Sequence, residues 1–131
     1  MLGQLRRALE AEADVVYALI FGSAARGPLR PDSDVDVAIE LRAGAGRDVA
    51  ALGALVSRLE SAARRPVDLV LLDEAPAPLA YRVFRDGRLL FERDHAALRA
   101  RKARAVIEYL DFRLIEERCA SGVLRVARAG G

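Results

Sequence analysis

The stretch Phe21-Gly22-Ser23-Ala24-Ala25-Arg26-Gly27-Pro28-Leu29-Arg30-Pro31-Asp32-Ser33-Asp34-Val35-Asp36-Val37 decides how the rest of the chain reads. An apolar run, Val15 to Phe21, enters it and a second, Val37 to Ile39, leaves it. The pattern predicts a strand, a turn with a short helix, and a second strand over Ser33 to Glu40. Strand side chains alternate between faces, so Asp34 and Asp36 are expected on one side and Val35, Val37 and Ile39 in the core. Two carboxylates that close repel unless a cation lies between them. Mg²⁺ is the natural choice, a hard ion that takes oxygen ligands and leaves positions free for phosphate. Gly22 permits a tight turn, and exposed amides at Gly22-Ser23 suit a phosphate.

Outward from this stretch the elements alternate. Leu2, Leu5 and Leu9 recur at helical spacing ahead of it. After it comes a Gly/Ala loop, Arg42 to Gly46, and then a helix over Arg47 to Ala63. Its predicted apolar stripe is Val49, Leu52, Val56, Leu59 and Ala63, and Pro66 stands just past its end. Val67 to Leu72 reads as a third strand, and Asp73 to Pro78 as a turn. Leu79 to Asp86 reads as a short helix closed by Gly87, and Arg88 to Glu92 as a fourth, edge strand. A long helix is expected from an Asp94 N-cap to about Cys119, with Leu98, Ala105, Ile107, Leu110 and Leu114 as its apolar members. Ser121-Gly122 is expected to break it, leaving Ala127 to Gly131 as a frayed tail. The order α-β-α-β-α-β-α-β-α makes this an α/β (α+β) chain: a mixed β-sheet flanked by helices, one domain over 1–131 with its core at about 15–92.

Asp68 interrupts the apolar strand Val67-Asp68-Leu69-Val70-Leu71-Leu72. A buried carboxylate needs a partner or a metal. If its strand lies beside the one bearing Asp34 and Asp36, the three acids converge. Such a cluster holds two Mg²⁺ ions about 3.5–4 Å apart, clamping the attacking and leaving oxygens of a phosphoryl transfer.

Composition narrows the class without naming a substrate. The chain has 131 residues, 53% hydrophobic and 31% charged, which suits a globular domain. A net charge of +2 gives no argument for nucleic acid. Twenty of the 21 basic residues are arginine, a compositional bias. Cys119 is the lone cysteine and forms no internal disulfide. No apolar h-region opens the chain, and no run approaches the ~20 residues that span a bilayer, so the expected location is the cytoplasm, away from membranes.

Gly22-Ser23, ten residues, Asp34-x-Asp36 and the later strand carboxylate Asp68 together resemble the minimal nucleotidyltransferases of the DNA polymerase beta-like superfamily. The resemblance spans roughly Val15 to Glu92 and extends loosely to Glu108-Tyr109-Leu110-Asp111. It implies the nucleotidyltransferase fold with a long C-terminal helix, and transfer of AMP from ATP to a hydroxyl with release of pyrophosphate. Gly22, Ser23 and Arg26 would then bind nucleotide. Asp34, Asp36 and Asp68 would be catalytic and hold two Mg²⁺. Small members of this group are often antitoxins paired with a HEPN-family toxin, so the resemblance implies adenylylation of a toxin tyrosine in a homo- or hetero-oligomer. The shortness of the chain agrees: one long helix cannot enclose a small acceptor, and a protein partner is easier. Two alternatives stand beside this one, an antitoxin acting by occlusion alone and a transferase for a small molecule or an RNA end.

Other residues carry blander expectations. His95, with six residues between it and Arg88, loosely fits an Arg-x-His ribonuclease spacing but reads as a surface residue. Arg93, Arg99, Arg101, Lys102 and Arg104 read as a solvated helix face, with docking to an acidic partner or RNA as the functional alternative. Tyr81, Tyr109 and Phe112 read as core rather than as a base-stacking platform. Arg26 is balanced between the triphosphate and a pairing with Asp32.

Overall fold

A computed structural model describes residues 1–28, 30 and 32–130, without the side chains of 121–130. The elements run α1 (Leu2–Glu10), β1 (Val15–Phe21), α2 (Ser23–Arg26), β2 (Val35–Leu41), α3 (Val49–Ala63), β3 (Val67–Leu71), α4 (Ala77–Asp86), β4 (Arg88–Glu92) and α5 (His95–Gly130). The sheet order is β3-β2-β1-β4. β2 and β3 are parallel, joined by the α3 crossover, and β1 is antiparallel to both β2 and β4. The expected mixed sheet and element order are therefore present, with β4 at one edge and β3 at the other.

Helices cover both faces. α1 and α3 bury Leu5, Leu9, Leu55, Leu59 and Ala63 against Ala18, Ile20, Val35, Val37 and Ile39. Alternate residues of the same strands, Tyr17, Leu19 and Ala38, meet Ala80, Val83 and Phe84 of α4 and Ala105 of α5. Each fully buried Leu or Ile contributes about 1.5–3 kcal/mol by leaving water.

Element ends shift for local reasons. α3 begins at Val49 rather than Arg47 because the Asp48 side chain accepts the Ala51 amide at 2.7 Å and caps it. Val49, expected on the buried stripe, is 90% exposed in that first turn, and Leu55 takes an inward position instead. α4 starts at Ala77, inside the expected turn, because proline is tolerated in a first helical turn where no amide is needed. Gly87 ends α4 by close packing: a Cβ there would lie 2.3 Å from the Val83 carbonyl oxygen.

α5 departs most from expectation. Asp94 caps it as expected, its carboxylate accepting the Ala97 amide at 3.0 Å. The helix then passes through Ser121-Gly122 to Gly130, 36 residues in all. A single internal glycine costs about 1 kcal/mol without removing a backbone hydrogen bond, so it does not force a stop. Of the expected tail, Gly131 lies outside the described residues. Ile107, Leu110, Leu114 and Phe112 are not core, because the sheet ends before they reach it. Together with Val106 and Ile115 they stay 39–59% exposed.

Candidate active site

The parallel register of β2 and β3 sets Asp36 beside Asp68, while the antiparallel register of β1 sets Phe21 on the other side of Asp36. Residues opposed in this way share a face, so the two carboxylates stand together on the α4 and α5 side. Burial pushes the Asp36 carboxyl above its ordinary value, and the charge of Asp68, a hydrogen bond shared with it and the charge of Asp34 push it further.

Gly22 closes the site from the end of β1. Its φ of 67° and ψ of −146° favour glycine strongly. A Cβ there would lie 2.3 Å from Asp36 Oδ2, so the chain must turn on a residue without a side chain. Ser23 opens α2 and is exposed. A cleft of about 260 Å³ lies in front, lined by Phe21, Gly22, Arg26, Asp36, Arg82 and Asp86.

One expectation needs correcting. Asp68 is exposed rather than buried, because β3 is an edge strand and its end on this face is uncovered. Its place follows from register and not from a charge trapped in the core. Arg26 faces the cleft, where its charge is felt by Asp86, and makes no ion pair with Asp32 among the described residues.

Asp34 lies one residue before β2 and is exposed. Among the described residues no three Asp, Glu, His or Cys side chains converge closely enough to hold one ion. Two of the three expected ligands are thus side by side, and the third is near enough for its charge to reach Asp36. The donor set is all carboxylate oxygen, the chemistry a hard divalent cation takes, and a cation between Asp36 and Asp68 would relieve their repulsion. The residues fit Mg²⁺ in kind.

Arg82 and Asp86 gave no signal in the sequence, because they are two of many charged residues on a short helix. Spaced by four, they share one flank of α4 and reach the cleft. Asp86 is held well below the ordinary carboxylate range, first by Arg85, which donates to it at 2.9 and 2.8 Å, and also by Arg26 and Arg82.

At the other end of the same face, Tyr17 is fully buried beside Glu40 and Arg101. Arg101 is only 4% exposed, so the basic run on α5 is not a uniformly solvated face. It donates to the Leu72 carbonyl at 2.9 Å and fastens α5 to the end of β3. Burial, then Glu40, push the Tyr17 hydroxyl far above its usual range. Tyr81 and Tyr109 stack on each other at 4.0 Å, joining α4 to α5. His95 is exposed as expected and contacts Glu92 at 2.9 Å.

A mixed sheet with a glycine turn against paired strand carboxylates defines a nucleotidyltransferase. The chain belongs to the family described as "Polymerase beta, Nucleotidyltransferase", whose model matches residues 3–96. No curated protein matches it in sequence. Solved structures share its fold. A toxin-antitoxin complex with AMP-PNP superimposes with a TM-score of 0.77 at 22% identity, covering 94% of this chain and 98% of that one. The MNT antitoxin complex with a tri-AMPylated HEPN toxin from Shewanella oneidensis gives 0.71 at 20% identity, covering 95% and 99%. The toxin-antitoxin MntA-HepT gives 0.71 at 20% identity, covering 94% and 96%. Among the described residues no helix is long and apolar enough to cross a membrane.

Proposed function

We propose that the whole chain works as one Mg²⁺-dependent nucleotidyltransferase unit that moves AMP from ATP to a tyrosine hydroxyl of a HEPN-family toxin, and so acts as its antitoxin in the cytoplasm, where ATP is supplied. The observation that carries this reading is the register of Asp36 with Asp68, with Gly22 folded directly against Asp36. Asp34, Asp36 and Asp68 would hold the ions. When bound, Mg²⁺ supplies charge neutralisation at the phosphates and polarises the reacting phosphorus.

The chain's own groups account for the rest. Gly22 and Ser23 leave room and amides for the phosphates, and Arg26 adds a positive charge at the cleft. Asp68, exposed at the sheet edge, is accessible to an acceptor arriving from outside. The acceptor oxygen bonds to the α-phosphorus as the bond to the bridging oxygen breaks. Pyrophosphate leaves, and the hydroxyl proton passes to Asp68.

A protein acceptor is favoured because Asp68 is exposed at the open edge of the sheet. α5 also leaves Ile107, Leu110, Leu114 and Ile115 exposed, a surface suited to a helical partner. The toxin-antitoxin complexes among the structural neighbours support that choice of partner.

The test is incubation with Mg²⁺, α-labelled ATP and the product of the adjacent gene. Label on a toxin tyrosine is expected. Tight binding without label, with full neutralisation by Asp34→Ala/Asp36→Ala, would replace transfer by occlusion.

A further inference from the structure

We propose that Arg82 on α4 grips the leaving phosphates of the nucleotide in the cleft in front of Asp36, working with Arg26 of α2. This rests on the nucleotidyltransferase reading and adds to it a specificity-determining residue outside the family's glycine-serine and carboxylate pattern.

The cleft is lined by two guanidiniums and two carboxylates: Arg26, Arg82, Asp36 and Asp86. Asp36 is turned toward Asp68 and the proposed ions. Asp86 is engaged bidentately by Arg85. Neither Arg26 nor Arg82 has an ion-pair partner within 4.0 Å among the described residues. Both nevertheless lie near enough to Asp86 to act on its charge, so the two guanidiniums face one small region. Two unpaired arginines at the mouth of a cleft ending in metal-type carboxylates suit a polyanion, and the planar guanidinium matches phosphate bidentately.

α4 holds Arg82 in place from two sides. Ala80, Val83 and Phe84 bury against the sheet, and Tyr81 stacks on Tyr109 of α5. Arg82 itself is exposed and packs no core, so its truncation leaves the fold intact.

Calorimetric titration of the wild-type chain and Arg82→Ala with ATP, pyrophosphate and AMP, each with Mg²⁺, tests the assignment. Loss of charge-assisted hydrogen bonds to phosphate predicts ATP and pyrophosphate binding weaker by about 10- to 100-fold. AMP, which lacks the leaving phosphates, is expected to bind within about 2-fold of wild type. Arg82→Lys is expected to recover part of the loss, and KM for ATP to rise more than kcat falls. Equal binding of all three ligands by wild type and Arg82→Ala, or an equal loss for AMP and ATP, would overturn the role of Arg82 alone. A wild-type chain that binds neither ATP nor pyrophosphate would overturn the nucleotidyltransferase reading with it.

Discussion

Under α1 and α3 the sheet is dry: Ala18, Ile20, Val35, Val37 and Ile39 pack into one apolar cluster with Leu5, Leu9, Leu55 and Leu59. Under α4 and α5, alternate residues of the same strands bring Tyr17, Asp36, Glu40 and Asp68, with Arg101 reaching in from above. One face is built to hold the chain together and the other to hold charge. The charged face is itself divided. Where α5 crosses, Tyr17 and Arg101 are sealed in; where β1 ends at Gly22, the cover stops and a cleft opens over Asp36. A strand's period of two lets five residues of β2 serve both purposes without compromise.

The comparison can be broken first at Asp36. Asp36→Ala is expected to lower nucleotidyl transfer by at least ~10³, since the clamp on reacting oxygens goes with it. Its melting temperature should not fall, because the lost group is repelled in the native state. The opposite outcome is expected on the dry face. Leu59 is fully buried there, and Leu59→Ala should cost about 2–5 kcal/mol in denaturant unfolding while transfer by the folded fraction is unchanged. Gly22→Ala probes the boundary between the two. Its Cβ must displace Asp36 Oδ2, and transfer should drop on the order of 10² because the carboxylate is misplaced by roughly 1 Å.

The smallest effect is a gain. Asp68→Asn removes a like charge directly across from Asp36 and should raise metal-free stability by up to about 1 kcal/mol. Its pH dependence has a definite sign. Burial and its acidic neighbours raise the Asp36 carboxyl above its ordinary value, so it favours the fold while protonated. That contribution is full below the unfolded value and is lost as pH rises through the raised folded value. Thermal melts across this window should show a shallower decline in Asp68→Asn than in wild type.

Much of this was legible in the residues. β1 and β4 ran where their apolar runs did, and the Gly22 turn and the strand carrying Asp36 were readable from local spacing, although that strand starts at Val35, just past Asp34. Asp68 was found for a partly mistaken reason: it is not buried, and only register, a long-range property, places it beside Asp36. Arg82 and Asp86 could not be found, because a charged pair four apart on a helix looks the same whether it faces solvent or a cleft. The burial of Arg101 and the exposure of Ile107, Leu110 and Leu114 depend on where α5 leaves the sheet, which periodicity does not encode. Ser121-Gly122 read as a stop because glycine weakens helices, yet the helix continues through it.

On the proposed reading, the open end of the charged face binds divalent cations through Asp34, Asp36 and Asp68. Counting Mn²⁺ bound in the presence of a non-hydrolysable ATP analogue, by paramagnetic resonance of free ion, tests it most directly. Wild type should take up two ions, and Asp36→Asn should bind them at least about 10-fold more weakly. Equal uptake by both proteins would rule out Asp36 as a ligand to these ions.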